Sequence, residues 1–179
     1  NLGGLVGLLI DGEIVYFRKS NTLPQGKYPL VFLDFTQNQK IVDADLAPFR
    51  DCKNLVHLDL SGCTISGDGF LHFQNLQNIE VVDLKFSGVN SRGLAVLQNA
   101  KKLRKINLHG TAVKDEGLAH LSGCLNLEWI HLGNLPIGKS GFQHLGKLKK
   151  LTYLNLDKTD FNDEAATAFE NITSLEYLS

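Results

Sequence analysis

Residues 103–121 read LRKINLHGTAVKDEGLAHL, and this stretch decides the fold because variants of it recur along most of the chain. The first leucine of the stretch belongs to a series of apolar residues that stand 24 residues apart, at Leu55, Ile79, Leu103, Leu127, Leu151 and Leu175. A fixed period of this length is typical of a repeat array, in which each unit buries its apolar side against the next copy. The sequence therefore predicts stacked structural repeats.

Each unit combines two hydrophobic periods. Residues 103–109 alternate with period 2, so that Ile106 and Leu108 point inward while Lys105, Asn107 and His109 point outward, as in a short strand. After a turn, apolar residues recur at every third position, as at Leu118, Leu121 and Cys124. This second pattern predicts a short helix that returns to the next strand.

The turn before each helix carries a recognisable pair of positions. The first holds residue types that cap helices, at Asp43, Ser91, Asp115 and Asp163. The second holds small residues, at Gly69, Gly93, Gly117, Gly141 and Ala165. We expect the first position to be the N-cap and the second to let the helix begin close to the strand layer.

The pattern L-x-x-L-x-L-x-x-T-x-V-x-D-x-G-L-x-x-L at residues 103–121 resembles the leucine-rich repeat superfamily. Within that superfamily it is similar to a bacterial group whose repeats carry a T-D-x-G-L signature, and the resemblance covers residues 30–178. It implies an α/β fold, a right-handed β-α solenoid with a concave parallel sheet and short convex helices. It also implies protein–protein interaction as the usual role, and a bacterial source.

The domain organisation follows from where the repeat begins. Residues 1–29 lack it, and Asp11-Gly12 between two apolar runs is a strong hairpin signal, so we predict an N-terminal cap with a β-hairpin. Residues 30–179 are the predicted array, with units that start near residues 30, 55, 79, 103, 127, 151 and 175. One unit departs from the pattern at Leu135-Pro136, where we expect an irregularity in the ladder between units.

Composition and motifs exclude several function classes. Eighteen Lys and Arg balance nineteen Asp and Glu, which argues against nucleic acid as a partner, and no apolar run reaches the roughly 18 residues needed for membrane insertion. Cys52 and Cys124 share an apolar column, so buried thiols are expected. We found no spacing typical of catalytic residues, metal ligands or a cofactor site, and the sequence therefore predicts a non-enzymatic protein without cofactor.

The ends of the sequence suggest two further hypotheses. The chain begins with Asn1, and its last unit starts at Leu175 without being finished. The chain is then expected to be a scaffold or sensor fragment of a larger protein, or to self-associate at an uncapped C-terminal edge. Light scattering at several concentrations tests the second option. Localisation is not indicated.

The outward strand positions define the candidate binding surface. One column ends in three aromatic residues, and its neighbours carry amides and imidazoles, which together are typical of interface anchors. The candidate partner-binding residues on the concave face are Lys105, Asn107, His109, Trp129, His131, Tyr153, Asn155 and Tyr177. A protein partner is the leading hypothesis. Carbohydrate or cell-wall recognition by the flat aromatic faces is the alternative, and a run of acidic residues at Asp34, Asp59 and Asp83 leaves a cationic partner open.

Overall fold

The computed structural model describes residues 3–18 and 24–179. The strands are β1 Leu5–Ile10, β2 Glu13–Phe17, β3 Leu30–Asp34, β4 His57–Asp59, β5 Val81–Asp83, β6 Lys105–Asn107, β7 Trp129–His131, β8 Tyr153–Asn155 and β9 Tyr177–Leu178. In these described ranges the nine strands form one sheet in the order β2-β1-β3-β4-β5-β6-β7-β8-β9, and all pairs from β3 to β9 are parallel. The predicted α/β solenoid is confirmed.

Short helical segments connect the parallel strands. They are 3₁₀ helices at Asp43–Phe49 and Gly93–Leu97, α-helices at Gly67–Phe70 and Lys139–Gln143, and α-helices at Asp115–Leu118 and Asp163–Ala166 that continue as 3₁₀ turns over Ala119–Leu121 and Thr167–Phe169. Segments this short have little stability of their own. They are held by the apolar stripe that each one buries against the sheet and against the neighbouring repeats.

The N-terminal hairpin covers the first edge of the array. Its turn is Asp11-Gly12, with φ angles of 49° and 87°, and Ile10 pairs with Glu13 as a two-residue turn requires. β1 then pairs antiparallel with β3, so the hairpin occupies the hydrogen-bonding edge of the parallel sheet. The predicted hairpin cap is confirmed over these strands, while residues 1–2 and 19–23 of the predicted cap lie outside the described residues.

Residues one repeat apart are neighbours in the sheet. Lys105 pairs with Trp129, which pairs with Tyr153, which pairs with Tyr177. The residue that follows each of these along its strand points inward, and Ile106 on β6 is completely buried. Ile130 and Leu154 occupy the same buried column in the next repeats, and each such side chain adds roughly 1.5 to 3 kcal/mol of hydrophobic stabilisation on burial. The core therefore runs the length of the array.

The prediction of N-caps at the acidic turn positions was wrong by one residue. The residues before the helices at Asp43, Asp115 and Asp163 are Val42, Lys114 and Asn162, and Asn162 caps its helix by accepting from the Ala165 amide at 2.9 Å.

Asp43 and Asp115 instead bind the following repeat. The Oδ1 atoms of Asp43 and Asp115 accept from the backbone amides of Ser66 and Gly138 at 2.9 and 2.8 Å. This contact also corrects the expectation about the small residues. A side chain at Gly69 would collide with the Asp43 carboxylate of the preceding repeat, so the close approach is between helical turns and not with the strand layer.

The irregularity predicted at Leu135-Pro136 is present. In the two preceding turns, parallel bridges join Ser66 with Gly88 and Asn90 with Ala112. Proline has no N–H to donate, and here the backbone closes a local contact from the Ile137 amide to the Leu135 carbonyl at 2.9 Å. The ladder resumes one repeat later, where the Asp160 amide donates to the Ile137 carbonyl.

Candidate functional site: the concave face

The concave face is defined here by the outward strand residues of β3 to β9 and the turn that follows each strand. Its first column contains the residues that the period-2 pattern predicted, Phe32, His57, Val81, Lys105, Trp129, Tyr153 and Tyr177. Apart from Lys105 and Tyr177, which are exposed, these side chains are partly buried by their neighbours. The strand register alone brings these residues into one row.

Three aromatic rings at the C-terminal end of this column are stacked. The Trp129 and Tyr153 ring centroids are 5.0 Å apart with an interplanar angle of 12°, and those of Tyr153 and Tyr177 are 4.5 Å apart at 2°. The rings therefore contact each other through their faces. Their edges, the tyrosine hydroxyls, the indole N–H and the outer faces of the two end rings, Trp129 and Tyr177, are the groups that remain for a ligand.

The row of rings continues across the face through two histidines. The Trp129 ring meets the His131 ring edge-on at 5.9 Å, and the His131 and His109 ring centroids are 4.7 Å apart. His109 in turn meets the edge of Phe86 at 4.9 Å. Six rings, from Phe86 to Tyr177, thus form one chain of contacts, and we call this set the ring row.

Phe86 is the member of the ring row that sequence reasoning missed. It is the third residue after the end of β5, has a φ of 56° and is 55% exposed. A bulky side chain in the left-handed region is rare, and the equivalent position of the next repeat is Gly110 with a φ of 64°. The aligned repeats carried a signal, because this column otherwise holds Gln, Gly, Asn and Lys and its single Phe is the exception.

Gly133 makes the contact between the two histidines possible. A Cβ atom there would lie 2.8 Å from Nδ1 of His109, 2.9 Å from Nε2 of His131 and 2.9 Å from Oδ1 of Asn155. The missing side chain leaves a notch that these polar groups fill. The Nδ1 atom of His109 is buried there without a hydrogen-bond partner among the described residues.

Burial and nearby lysines keep the two histidines neutral. The pKa of His131 is lowered by burial, by His109 and by Lys85, and the pKa of His109 is lowered by burial, by Lys85 and by Lys158. A neutral imidazole donates one hydrogen bond and accepts one. Near neutral pH the ring row itself is therefore uncharged. The positive charges beside it belong to neighbouring lysines.

A second, smaller aromatic cluster lies at the N-terminal end of the face. Phe32 stacks on His57 with ring centroids 4.4 Å apart and an interplanar angle of 12°, and Tyr16 of the hairpin meets Phe32 edge-on at 5.2 Å. The cap thus contributes a residue to the concave face. Sequence reasoning did not identify this cluster, because the pairing of β1 with β3 that brings Tyr16 to Phe32 has no repeat pattern behind it.

Comparisons with known proteins agree with this architecture. A family model described as a leucine-rich repeat matches residues 51–70 and residues 147–169. The solved structure of an internalin C2 from Listeria monocytogenes matches with a TM-score of 0.59 and 14% identity, over 84% of this chain and 80% of that chain. The two matched segments and the shared fold identify this chain as built of leucine-rich repeats. At 14% identity, the likeness to the internalin shows the fold alone.

A segment of this leucine-rich repeat protein is similar in sequence to part of a much longer protein. A probable inactive serine/threonine-protein kinase from Dictyostelium discoideum is 39% identical over 67 residues, which amount to 37% of this chain and 3% of that protein. The chain thus spans a very small part of this relative. Because one match is bacterial and the other eukaryotic, the bacterial source stays a prediction.

The second column of the concave face is formed by the last residue of each strand from β3 to β8. The acidic residues in this column have a structural role. Asp34, Asp59 and Asp83 each accept a hydrogen bond from the backbone amide two residues later, at 2.7, 2.8 and 2.9 Å. Asn107 and Asn155 do the same through their side-chain oxygens at 3.2 Å. Residues of this kind hold the turn after the strand. The turn therefore accounts for Asp or Asn here without a ligand.

Lysines at the edge of the array contact the neighbouring repeat. The Nζ atom of Lys102 donates to Oδ1 of Asn78 at 2.8 Å, and Lys150 donates to Asn126 at 2.7 Å in the same way two repeats later. Between them, the Arg104 guanidinium binds both carboxylate oxygens of Glu128 at 3.0 and 2.8 Å. The lysine pairs tie neighbouring repeats together, and this edge is less available to a partner than the ring row.

The structure brings all the predicted site residues onto one face, as three groups and one separate lysine. Trp129, Tyr153 and Tyr177 are stacked, and His109 and His131 contact each other. Asn107 and Asn155 hold turns and also bind side chains, since Asn107 donates to Asp83 at 3.1 Å and Asn155 to Asp157 at 2.9 Å. Lys105 is exposed beside Trp129. None of these placements by itself tests a binding role.

Over residues 3–18 and 24–179, no helix combines the length and apolar character that crossing a bilayer requires. In the same ranges, His, Cys, Asp and Glu side chains do not converge in groups of three or more that could hold a metal ion. Cys124 is completely buried in the core, and this burial raises the pKa of its thiol to about 11.

Proposed function

We propose that this leucine-rich repeat protein is a non-enzymatic protein-binding module whose partner lies on the ring row, at the C-terminal half of the concave face. Proteins of this superfamily are typically interaction modules, and this chain presents an uninterrupted set of six rings, joined by five ring contacts, on its open sheet face. That set is the observation that supports the proposal. Large aromatic side chains with a polar tip are the residues that most often dominate binding energy in protein interfaces.

The mutual stacking of the rings favours tight binding. A side chain that is already held in one rotamer by its neighbours loses little conformational entropy when a partner covers it. Tyr153 is held on both faces, by Trp129 and by Tyr177. The backbone groups of the sheet are engaged between strands, so recognition falls to these side chains.

The same stacking argues against carbohydrate recognition. A sugar ring binds an aromatic residue by lying on its face, and each face of Tyr153 is occupied by a neighbouring ring at 4.5 to 5.0 Å. The ring edges offer no equivalent platform, and the outer faces of Trp129 and Tyr177 are separated by the thickness of the stack, so they do not form one continuous surface for a sugar chain. A glycan array probed with the intact protein is expected to give no signal that depends on Trp129.

The likeness to the kinase supports a weaker proposal about context. In that protein the matched segment is 3% of the length, so repeats of this kind occur as a small part of a much longer chain. We propose that the present array acts as the scaffold or sensor part of a larger assembly. Its binding surface would then deliver a partner to other domains.

A pull-down with matched variants tests the binding site. The double variant Trp129→Ala/Tyr153→Ala is expected to lose at least about tenfold in capture of partner proteins, because interface anchors contribute about 2 kcal/mol or more each. Tyr16→Ala, which removes a 50% exposed aromatic at the other end of the same face, is the control and should leave capture unchanged. Equal capture by the double variant, with its fold intact by circular dichroism, would refute the proposal.

A further inference from the structure

The two halves of the concave face differ in charge. On β3 to β5 the second column is a run of carboxylates at Asp34, Asp59 and Asp83. From β6 onward the same column holds Asn107, His131, Asn155 and Ser179, none of them acidic.

Lysines surround the ring row. Lys105 and Lys158 are exposed on the C-terminal half, and Lys85 lies at its border with Nζ 5.0 Å from the centroid of the Phe86 ring. Asp157 is the acidic residue that follows the strands on this half, and its carboxylate accepts from the Asn155 side-chain amide at 2.9 Å. Glu128, which lies near Lys105, is paired with Arg104 at 2.8 Å. Lys85, Lys105 and Lys158 are therefore the cationic groups available to a ligand at the ring row, and Lys85 and Lys158 are among the groups that lower the pKa of His109.

The uncharged groups of the ring row also favour negative ligand atoms. Stacked rings present their edges outward, and the edge of an aromatic ring carries the positive part of its quadrupole. The indole N–H of Trp129 and the hydroxyls of Tyr153 and Tyr177 add donors. Cations, ring edges and donors in one strip complement carboxylates and carbonyl oxygens.

The length of the ring row indicates an extended ligand. It crosses the five strands from β5 to β9, which at roughly 4.8 Å per strand amounts to about 19 Å. A peptide in extended conformation covers that distance with about six residues, at roughly 3.3 Å per residue.

We infer that the partner presents an acidic, extended peptide segment, which lies across the ring row with its carboxylates at Lys85, Lys105 and Lys158. This inference rests on the proposed protein-binding function and names the chemical class of the partner. The carboxylates of Asp34 and Asp59 repel such a segment from the N-terminal half and so restrict it to the C-terminal half. Asp83 lies at the border, where its carboxylate accepts from the Lys85 backbone amide and the Asn107 side chain.

Trp129 provides the readout, because it is the single tryptophan of the chain and lies within the proposed site. The intact protein is titrated with a synthetic peptide in which glutamates alternate with leucine and serine. A second peptide replaces each glutamate with glutamine, and a third replaces it with lysine. The acidic peptide is expected to change Trp129 emission saturably and to bind at least about tenfold more tightly than the glutamine peptide, with an affinity that falls as salt screens the charges.

Charge variants test the contact residues. Lys105→Glu/Lys158→Glu should weaken binding of the acidic peptide at least about tenfold, since each exposed charge contact contributes up to about fivefold in affinity and reversal adds repulsion. Lys105→Gln/Lys158→Gln keeps the test valid if reversal impairs folding, and it should weaken binding about three- to fivefold. Lys147→Glu, an exposed lysine after the helical segment Lys139–Gln143, is the matched control and should change affinity less than about twofold.

Several outcomes would overturn the inference. These are equal binding of the glutamine peptide, tighter binding of the lysine peptide, no change of Trp129 emission with any peptide, or unchanged binding by both lysine double variants. The outcomes also separate the two proposals. If Trp129→Ala/Tyr153→Ala loses the captured partner while the acidic peptide does not bind, the protein-binding function stands and the acidic class falls. If the peptide binds and that variant still captures its partner, the proposed function falls.

Discussion

The two ends of the concave face share one backbone and differ in chemistry. At the N-terminal end, Tyr16, Phe32 and His57 form an aromatic cluster beside Asp34 and Asp59. At the C-terminal end, the ring row lies among amides, imidazoles and lysines. The strand pairing is the same in both halves, with outward residues one repeat apart directly opposite each other.

This difference shows which positions of the repeat are free to vary. Inward residues must fill a continuous core, so Leu58 and Ile130 are equally buried in the two halves. Outward residues of the first column make few contacts that the fold requires, and either Asp or Asn can hold the turn after the strand, so the choice between such residues can be set by a partner. A charge difference between two structurally equivalent surfaces therefore gives information about binding. The identities of core residues give none, because packing sets them.

Core truncation should have the largest effect on stability and should be similar in both halves. Leu58→Ala and Ile130→Ala remove side chains from equivalent inward positions, and each is expected to cost about 2 to 5 kcal/mol of unfolding free energy. Chemical denaturation followed by circular dichroism measures both. A much larger loss in one half would show that the two scaffolds are not equivalent.

Gly133→Ala should be the most damaging small change on the concave face. The new methyl group would lie 2.8 to 2.9 Å from polar atoms of His109, His131 and Asn155, and forcing it in is expected to cost about 1 to 3 kcal/mol. The N-terminal counterpart of Gly133 is Ser61, since each lies two residues after the end of its strand. Ser61 already carries a side chain, so Ser61→Ala should cost less. Thermal unfolding of the two variants measures the contrast, and equal midpoints would mean that the notch is not closely packed.

Ring stacking should contribute measurably in both aromatic clusters. A double-mutant cycle with Trp129→Leu and Tyr153→Leu is expected to give a coupling energy of about 0.5 to 1.5 kcal/mol, as for other aromatic pairs. The same cycle on Phe32 and His57 provides the comparison, since that pair stacks at 4.4 Å. Coupling near zero at Trp129 and Tyr153 would contradict the pre-organisation of the ring row.

The pH dependence of stability should be the smallest of these effects. The pKa values of His109 and His131 are lowered on folding by burial, so the unfolded chain binds more protons as the pH falls below about 6.5. The stability that these two residues contribute is therefore present in full above that pH and is lost as the pH falls through their lowered values.

The variant His109→Gln/His131→Gln isolates this contribution. Its unfolding midpoint should change less than that of the wild type between about pH 7.5 and pH 5. His57 provides the N-terminal comparison, because burial lowers its pKa while Asp59 and Asp34 oppose that shift. His57→Gln should therefore change the pH profile less, and a larger change there would reverse the comparison.

Most of the fold followed from the repeat period, and so did the alignment of the site. Because residues 24 apart occupy the same place in successive units, the pattern predicted both Ile106 in the core and Trp129 beside Tyr153 on the surface. The interruption at Pro136 was predictable for a chemical reason, since proline cannot donate the ladder hydrogen bond. These inferences need only the spacing and the residue types.

Other features depend on atomic placement. Side chains at Asp43 and Asp115 could cap their own helix or bind the next repeat, and the residue type is compatible with both. The offset between successive turns decided this, because it brings the amides of Ser66 and Gly138 within 2.9 and 2.8 Å of the carboxylates.

The sequence by itself determined the repeat, the inward and outward columns and the position of the candidate surface, because period and polarity are properties of the chain. Only the tertiary structure decided that the rings stack through their faces, that Phe86 joins them through His109, and that Gly133 makes room for two imidazoles. Ring orientation and close approach depend on side-chain rotamers and on the offset between repeats, and neither is encoded in the spacing of residues along the chain.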